Sequence, residues 1–585
     1  MQKKTHRTSL LVALIFLVAI VLRTVVPNTE RQIVAGDEET YHFSALNLIH
    51  HHTFTRDVTG GMFGGTVELV PTANLSPGFS FYIAAIYTAL GEDPSKILVS
   101  NVVLSIISFW LIYRILRTLR ASSIGLVTAL AITAVYPGFL YNIDRMLTEQ
   151  LFMALFLGAI LLFLIGTERQ KRGVLAASGI ILAAATHVRA QAIPFIALAL
   201  IYLAVYANSR ASFFKMAAPF TGGFVLCMAP WWIRNFILLG EFVPLTLATD
   251  SPRIWGAVPY FLDMNDTNNK NLSEIINANF SASPSAYIRW RLFGYMNNMW
   301  ADVWDENLTH PGIFLQRIAF VCQLIFVVPA MIAMPWLIKR RIPQWTLIAA
   351  VPLCIVLPNV MFHGLPRYAF LAAPYVIIMM GLLLTRNDEF KSDGLAQWQE
   401  KAHGVGHILL LFLASIYAVW VAYSVYIFPS RIPADMSSYR IGKYAHIAVA
   451  DLANSDIVFD ASYKATQMEV RNSKLIKEDG QYRNTDAPGI FILKLGSTDK
   501  NSAITRVEVS MSGGAPYDYT TLYWMTSESP RMSESKFYKA PRFWFNNRQV
   551  FYIDADAREL LVVPSVLQGN KFTLDSIRVT KYRNP

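Results

Sequence analysis

The stretch SLLVALIFLVAIVLRTVVPNTERQIVAGDEETYH, residues 9–42, decides the fold. Residues 9–26 form an apolar run broken only by Ser9, Arg23 and Thr24, and Lys3, Lys4, His6 and Arg7 precede it. As a helix such a run covers most of a hydrocarbon core about 30 Å thick. No small-x-small cleavage site stands before Pro27, so the run reads as an uncleaved first span rather than a signal peptide. With the basic flank cytoplasmic, Pro27 onward emerges on the outer face. The acidic group Asp37-Glu38-Glu39 follows about ten residues later, at the membrane–water boundary.

The rest of the chain extends this pattern. Of 585 residues, 54% are hydrophobic and only 16% charged, where a soluble protein carries about a quarter charged. The texture becomes that of a soluble domain after Pro429. Two units are therefore expected, an α-helical polytopic membrane bundle over 1–429 and an extracytoplasmic β-rich domain over 430–585. The net charge of +11 does not indicate a nucleic-acid partner, because the basic residues sit in short groups beside apolar runs, where they set orientation. Cys227, Cys322 and Cys354 lie inside apolar runs and read as small buried hydrophobes. Neither a disulfide nor a cysteine-based metal site is expected.

Charge placement assigns the topology. The groups Arg114/Arg117/Arg120, Glu168–Arg172 and Lys339-Arg340-Arg341 belong inside. Spans over 9–26, 97–116, 124–140, 147–165, 174–186, 192–206, 213–238, 313–338, 345–362, 368–384 and 405–428 satisfy them, about eleven in all. Residues 77–90 are too short to span comfortably and read as a helix lying on the outer surface; if they spanned, every later basic group would be on the wrong side. Loops 27–96 and 240–310 are then outside, as is the C-terminal domain, in an inner or plasma membrane with the N-terminus cytoplasmic.

Polar groups collect at the outer ends of spans rather than at their middles. A secondary transporter places its site near the midplane, so the pattern favours a reaction at the boundary, on a substrate with an apolar tail and a polar head. Asp37 and Glu38 are adjacent carboxylates, a pairing that can poise one as a general base; a helix N-cap is the competing reading. Asp144, Arg145 and Glu149 precede a span and could hold an acceptor and a phosphate, or simply start that helix. Arg189, Arg234, His363 and Arg367 stand at outer tips, where a guanidinium fork suits phosphate oxygens and lipid headgroups equally. Trp255, Tyr260, Tyr287, Trp290, Tyr295, Trp300 and Trp304 in the 240–310 loop read as an interfacial belt or as a stacking wall for a sugar ring. His50-His51-His52 do not share one face of a helix or strand, so no metal site is assigned. No cofactor is expected, and a divalent metal is left open.

At these residues the sequence resembles the multi-spanning glycosyltransferases of the C-type fold, in particular the protein O-mannosyltransferase and lipid A aminoarabinose transferase-like group. Asp37-Glu38-x-x-Tyr41 is similar to that group's first-loop motif. Met146-Leu147-Thr148-Glu149-Gln150-Leu151-Phe152 looks like its second outer-loop signature and Pro230-Trp231-x-x-Arg234-Asn235 like its seventh-helix exit. Arg367-Tyr368, with Pro374, is similar to the pattern of a late hairpin. The resemblance implies inverting transfer of a sugar from a polyprenyl-phosphate donor to a lipid, glycan or protein acceptor. It implies Asp37 as the base, Glu38 as its partner, Asp144 and Glu149 on the acceptor side, and Arg189 and Arg367 against the departing phosphate. One departure is clear: Leu75-Ser76-Pro77-Gly78 lacks the basic residue that many relatives carry ahead of the surface helix, so the phosphate falls to the arginines. The alternative is a non-enzymatic membrane protein, a lipid-linked glycan transporter or a carbohydrate-binding receptor.

Beyond residue 430, segments 504–512, 520–525, 549–553, 560–563 and 572–579 are β-rich and separated by turn residues. They predict a β-sandwich, similar in look to carbohydrate-binding jelly rolls, with a short helix around 444–453. Trp524 and Trp544 are its candidate sugar-stacking side chains.

Overall fold

The computed structural model describes residues 2–27, 37–55, 71–207, 209–246, 256–257, 272–300 except 283, 321–356, 359, 364, 366–385, 405–427 and most of 440–583 outside its connecting loops. His363, Trp255, Tyr260, Trp304 and Trp544 lie outside the described residues.

Helices α1 (Gln2–Val25), α2 (Asp37–His51), α3 (Pro77–Leu90), α4 (Pro94–Thr118), α5 (Ser123–Val135), α6 (Pro137–Tyr141), α7 (Glu149–Glu168), α8 (Arg172–Val188), α9 (Pro194–Tyr206) and α10 (Arg210–Leu239) run in order. Their starts follow local chemistry. Pro77, Pro94, Pro137 and Pro194 occupy first-turn positions, where the missing N–H costs nothing. Asp93, Ser122 and Ser209 accept from the Ser95, Gly125 and Ser212 amides at 2.9, 3.1 and 3.1 Å, satisfying donors that a helix start leaves orphaned. Among the described residues, five helices are long and apolar enough to cross a membrane: Thr8–Val25, Pro94–Thr118, Glu149–Glu168, Arg210–Leu239 and His407–Ile427. Shorter apolar helices include α3, α5, α8, Gln323–Lys339, Pro343–Val356 and Ala373–Leu383.

One core cluster runs through the helices, from Ala19 on α1 to Val421 on the last. Helix–helix contact is closest where side chains are smallest. A Cβ added at Gly179 on α8 would collide with the Phe220 carbonyl oxygen on α10, and one at Gly223 on α10 with the Ala176 carbonyl on α8. Such approaches supply the dispersion that drives helix association where lipid removes the hydrophobic incentive. Arg23 is fully buried near the end of α1. It donates to Ser105 Oγ at 3.0 Å and to the carbonyls of Ala19, Ala134 and Thr133 at 3.2, 3.3 and 2.9 Å. Two of these are last-turn carbonyls of α5, left open where Pro137 starts the next helix.

Among the described residues the C-terminal region holds a separate two-stranded sheet and two large ones. One orders Phe537–Pro541, Tyr519–Met525, Glu559–Val563, Ile490–Lys494 and Glu469–Arg471; the other orders Arg548–Ile553, Ser502–Gly513 and Lys571–Arg583, flanked by Gln481–Arg483 and Ile476–Glu478, with Ile457–Tyr463 also on Lys571–Arg583. All pairings are antiparallel between the described strands. Phe491, Leu522, Trp524 and Leu560 from the first sheet share a core with Val507, Val509, Phe551 and Ile577 from the second. The helix expected around 444–453 is absent where described. Tyr444–Ala448 is a strand paired with Arg440–Ile441. Trp524 is 6% exposed and packs in the core, so it offers no face to a sugar.

Candidate active site

The site begins at the first residue of α2. Asp37 and Glu38 are consecutive on a helix, so their side chains diverge by about 100°. The structure uses them separately. Asp37 Oδ2 accepts from Arg367 Nη1 at 2.7 Å. Glu38 Oε1 accepts from the Met146 backbone N–H at 3.0 Å and lies 3.8 Å from Arg145 Nη1. The expectation that the two carboxylates act on each other is therefore corrected: Asp37 faces a cation and is mostly exposed, while Glu38 is buried and pins a loop.

That loop carries the second motif. Asn101 on α4 donates through Nδ2 to the carbonyls of Ile143 and Arg145 at 3.1 and 2.7 Å, holding residues 142–148 over the bundle. Asp144, Arg145, Thr148 and Glu149 are all buried. Glu149 opens α7 and is 1% exposed. Arg189 Nη1 and Arg367 Nε both donate to its Oε1, and the Thr148 hydroxyl donates to Oε2 at 3.3 Å. The resemblance implied Glu149 on the acceptor side; in the structure its buried carboxylate is held by two guanidiniums. Breaking such a buried pair from one side costs about 3–5 kcal/mol.

Arg189 follows α8 in extended conformation. Its Nη1 also donates to Thr148 Oγ1 at 2.7 Å, its Nε to Gln191 Oε1 at 3.3 Å, and its guanidinium stands 5.8 Å from the Tyr368 ring centre. Tyr41, one turn into α2, packs edge-on against Phe79 of α3 with ring centres 5.1 Å apart. Burial, with the Asp37 charge second, pushes the Tyr41 hydroxyl well above its ordinary range against the opposing pull of Arg367 and Arg189, so it remains a proton donor. Asp37, Tyr41, Glu149, Arg189, Arg367 and Tyr368 therefore form one electrostatic unit drawn from four parts of the chain.

Arg234 is engaged elsewhere. It donates to the Thr72 and Phe54 carbonyls at 2.8 and 3.4 Å and lies 4.9 Å from the Trp231 ring centre, fastening Phe54 and Thr72 to the end of α10. His42 had no assigned role in the sequence motif. Its Nδ1 lies 2.8 Å from the Tyr87 hydroxyl, joining α2 to α3. Gly78, in the segment lacking the relatives' basic residue, sits directly on α8: an added Cβ would meet His187 C at 2.7 Å and Val188 N at 2.8 Å. Among the described residues no group of three or more His, Cys, Asp or Glu side chains is placed to hold a metal ion.

The family model for dolichyl-phosphate-mannose-protein mannosyltransferase matches residues 76–233. That segment contains α3 to most of α10, with Glu149 and Arg189, but neither Asp37 nor Arg367. The solved structure of ArnT from Cupriavidus metallidurans bound to undecaprenyl phosphate is 14% identical, covering 72% of this chain and 69% of that one, at a TM-score of 0.41. The archaeal oligosaccharyltransferase AglB from Archaeoglobus fulgidus is 16% identical, covering 74% of this chain and 57% of that one, at a TM-score of 0.41. The arabinosyltransferase EmbB from Mycobacterium smegmatis is 11% identical over 98% of this chain and 64% of that one, at a TM-score of 0.30. This chain thus spans less than two thirds of the length of the last two proteins. No curated protein matches it in sequence. Residues 76–233 match the mannosyltransferase family model, in agreement with the resemblance read from the motifs, and the apolar helices are those of an integral membrane protein.

Proposed function

We propose that the chain transfers a sugar, with inversion, from a polyprenyl-phosphate donor to a hydroxyl-bearing lipid, glycan or protein acceptor at the outer membrane surface. The observation that carries this reading is the pair of arginines fixed by one buried carboxylate beside an exposed Asp37. A phosphate leaving group needs preorganised cations where its charge develops, and an acceptor hydroxyl needs a carboxylate to take its proton. In this reading the acceptor oxygen bonds the anomeric carbon as Asp37 accepts its proton. The bond from that carbon to the phosphate oxygen breaks, and its electron pair stays with the polyprenyl phosphate facing Arg189 and Arg367. Tyr41 and Tyr368 border the site as neutral donors, and Glu38 and Arg145 fix the loop that presents Glu149.

The same reading takes 1–429 as a bundle of about eleven spans, with α2 and α3 on its outer surface and the cytoplasmic N-terminus opposite. It takes 430–585 as an extracytoplasmic β-sandwich. The test is transfer from labelled polyprenyl-phosphate sugars by the purified chain. Wild type should consume donor, and Asp37→Asn should lose at least about a hundredfold in rate, the usual weight of a general base. Full transfer by Asp37→Asn would remove Asp37 from the chemistry, and no consumption of any lipid-linked sugar by wild type would remove the enzyme reading.

A further inference from the structure

We propose that the Asp37–Arg367 ion pair is a latch opened by the donor's phosphate: an anion arriving at Arg367 displaces Asp37, and the released carboxylate becomes the base. This rests on the function proposed above and adds a coupling between donor binding and the availability of the base.

Arg367 holds two carboxylates of unequal tenacity. Glu149 is 1% exposed and shared with Arg189, whereas the Asp37 side chain is 60% exposed. Withdrawing Arg367 from Glu149 would weaken the compensation of a buried charge, which is expensive. Withdrawing it from Asp37 returns a carboxylate to water, and exposed pairs contribute little. When a third anion competes for the guanidinium, Asp37 is therefore the partner that leaves. Arg367 keeps Nε on Glu149, and its Nη1, now on Asp37 at 2.7 Å, is the donor that changes hands.

Charge balance points the same way. Asp37 and Glu149 carry two negative charges and Arg189 and Arg367 two positive ones, so the closed cluster is neutral. A bound phosphate makes it anionic, and the like charge then repels the exposed Asp37 carboxylate from Arg367. Asp37 is thus paired with Arg367 before donor arrives and free to meet the acceptor hydroxyl afterwards. The proton it then takes from the acceptor hydroxyl offsets the negative charge that stays on the phosphate as the anomeric carbon–oxygen bond breaks, so the net charge of the site does not change during transfer. Wasteful deprotonation of an acceptor without donor is suppressed by the same contact.

Coupling of this kind is reciprocal: if phosphate expels Asp37, Asp37 must oppose phosphate. The experiment measures binding of a short-chain polyprenyl phosphate to the purified full chain, with no turnover involved. Removing the competitor, in Asp37→Asn and in the smaller Asp37→Ser, should tighten binding about five- to tenfold. The gain should vanish when Arg367→Gln is added to either. Inorganic phosphate, used to displace the lipid, should gain by the same factor, because the latch responds to the anion and not to the chain. Unchanged or weaker binding by both Asp37 variants overturns the latch, as does a gain confined to the lipid. Binding lost in Arg367→Gln but indifferent to Asp37 sinks the latch alone; wild-type binding that ignores Arg367, or no binding, sinks the proposed function with it.

Discussion

Arg367 and Glu149 are 218 positions apart in the chain, yet the guanidinium donates through Nε to the carboxylate that opens α7. The bond joins the short helix Pro366–Phe370 to the start of a membrane-crossing helix, and Arg189 closes the same carboxylate from the end of α8. Three of the cluster's charges are thus structural as well as chemical, and their removal has separable consequences.

Glu149→Gln should destabilise the bundle by about 3–5 kcal/mol, because two guanidiniums are left facing each other without their buried counter-charge. Asp37→Asn removes an exposed partner and should stay within about 1 kcal/mol of wild type. Thermal unfolding of the purified variants in detergent ranks them. The reverse order would mean that Asp37, not Glu149, is the structural member.

Arg23→Met should cost about 1–3 kcal/mol. Methionine leaves no stranded charge, but the carbonyls of Thr133 and Ala134 lose their donor in a setting where water does not replace it. Transfer per folded molecule should persist, since Arg23 bonds no member of the cluster. Unfolding midpoints and specific activity together check both halves.

Much of this was legible before the structure. The apolar runs and flanking charges located the helices, and strand segments such as 520–525 and 560–563 fall within observed strands because β-branched, aromatic and aliphatic residues bounded by turn residues favour extended chain. What was not legible was pairing. Asp37 and Glu38 looked like one acidic unit, and only helix geometry sends one to Arg367 and the other to the Met146 amide. Glu149 looked like an acceptor ligand, since its partners Arg189 and Arg367 come from distant hairpins and leave no mark on local sequence. The partners of Arg23 were not legible either; its isolation near the end of an apolar run was the available signal, as a charge there must find partners.

Glu38→Ala should destabilise by about 1–3 kcal/mol, whereas Glu38→Gln should recover most of that. Glutamine retains a carbonyl oxygen for the Met146 N–H at the place where Glu38 Oε1 sits 3.0 Å away, although it gives up the charge facing Arg145. Unfolding midpoints of the two variants, compared with transfer rates, separate loop anchoring from chemistry: anchoring predicts that rate follows stability.

Acid should weaken the β sheets through Asp460. Its Oδ1 and Oδ2 accept from Arg578 Nε and Nη2 at 3.0 and 2.6 Å, and Thr580 donates at 3.0 Å. The Arg578 bonds, with Thr580 assisting, hold the carboxyl below its ordinary range. Its folded pKa is depressed, so the contribution is fully present above the unfolded value of about 3.9 and disappears as pH falls through the lower folded value. Solvent access keeps it below about 1 kcal/mol. Denaturant unfolding followed on Trp524 at about pH 6 and about pH 3 should show a smaller acid loss for Asp460→Asn than for wild type.

Gly78→Ala tests the surface helix. The added methyl would stand 2.7 Å from His187 C and 2.8 Å from Val188 N, and both are backbone atoms that no rotamer change can move aside. Either α3 lifts or the end of α8 shifts, at about 1–3 kcal/mol for overpacking. Arg189 is the next residue after Val188, so a shift of α8 moves the guanidinium that bonds Thr148 and Glu149. Transfer should fall further than stability predicts, with affinity for polyprenyl phosphate reduced in the same variant. A Gly78→Ala protein of wild-type affinity but lower melting temperature would mean that α3 alone yields and that Arg189 is held independently of it.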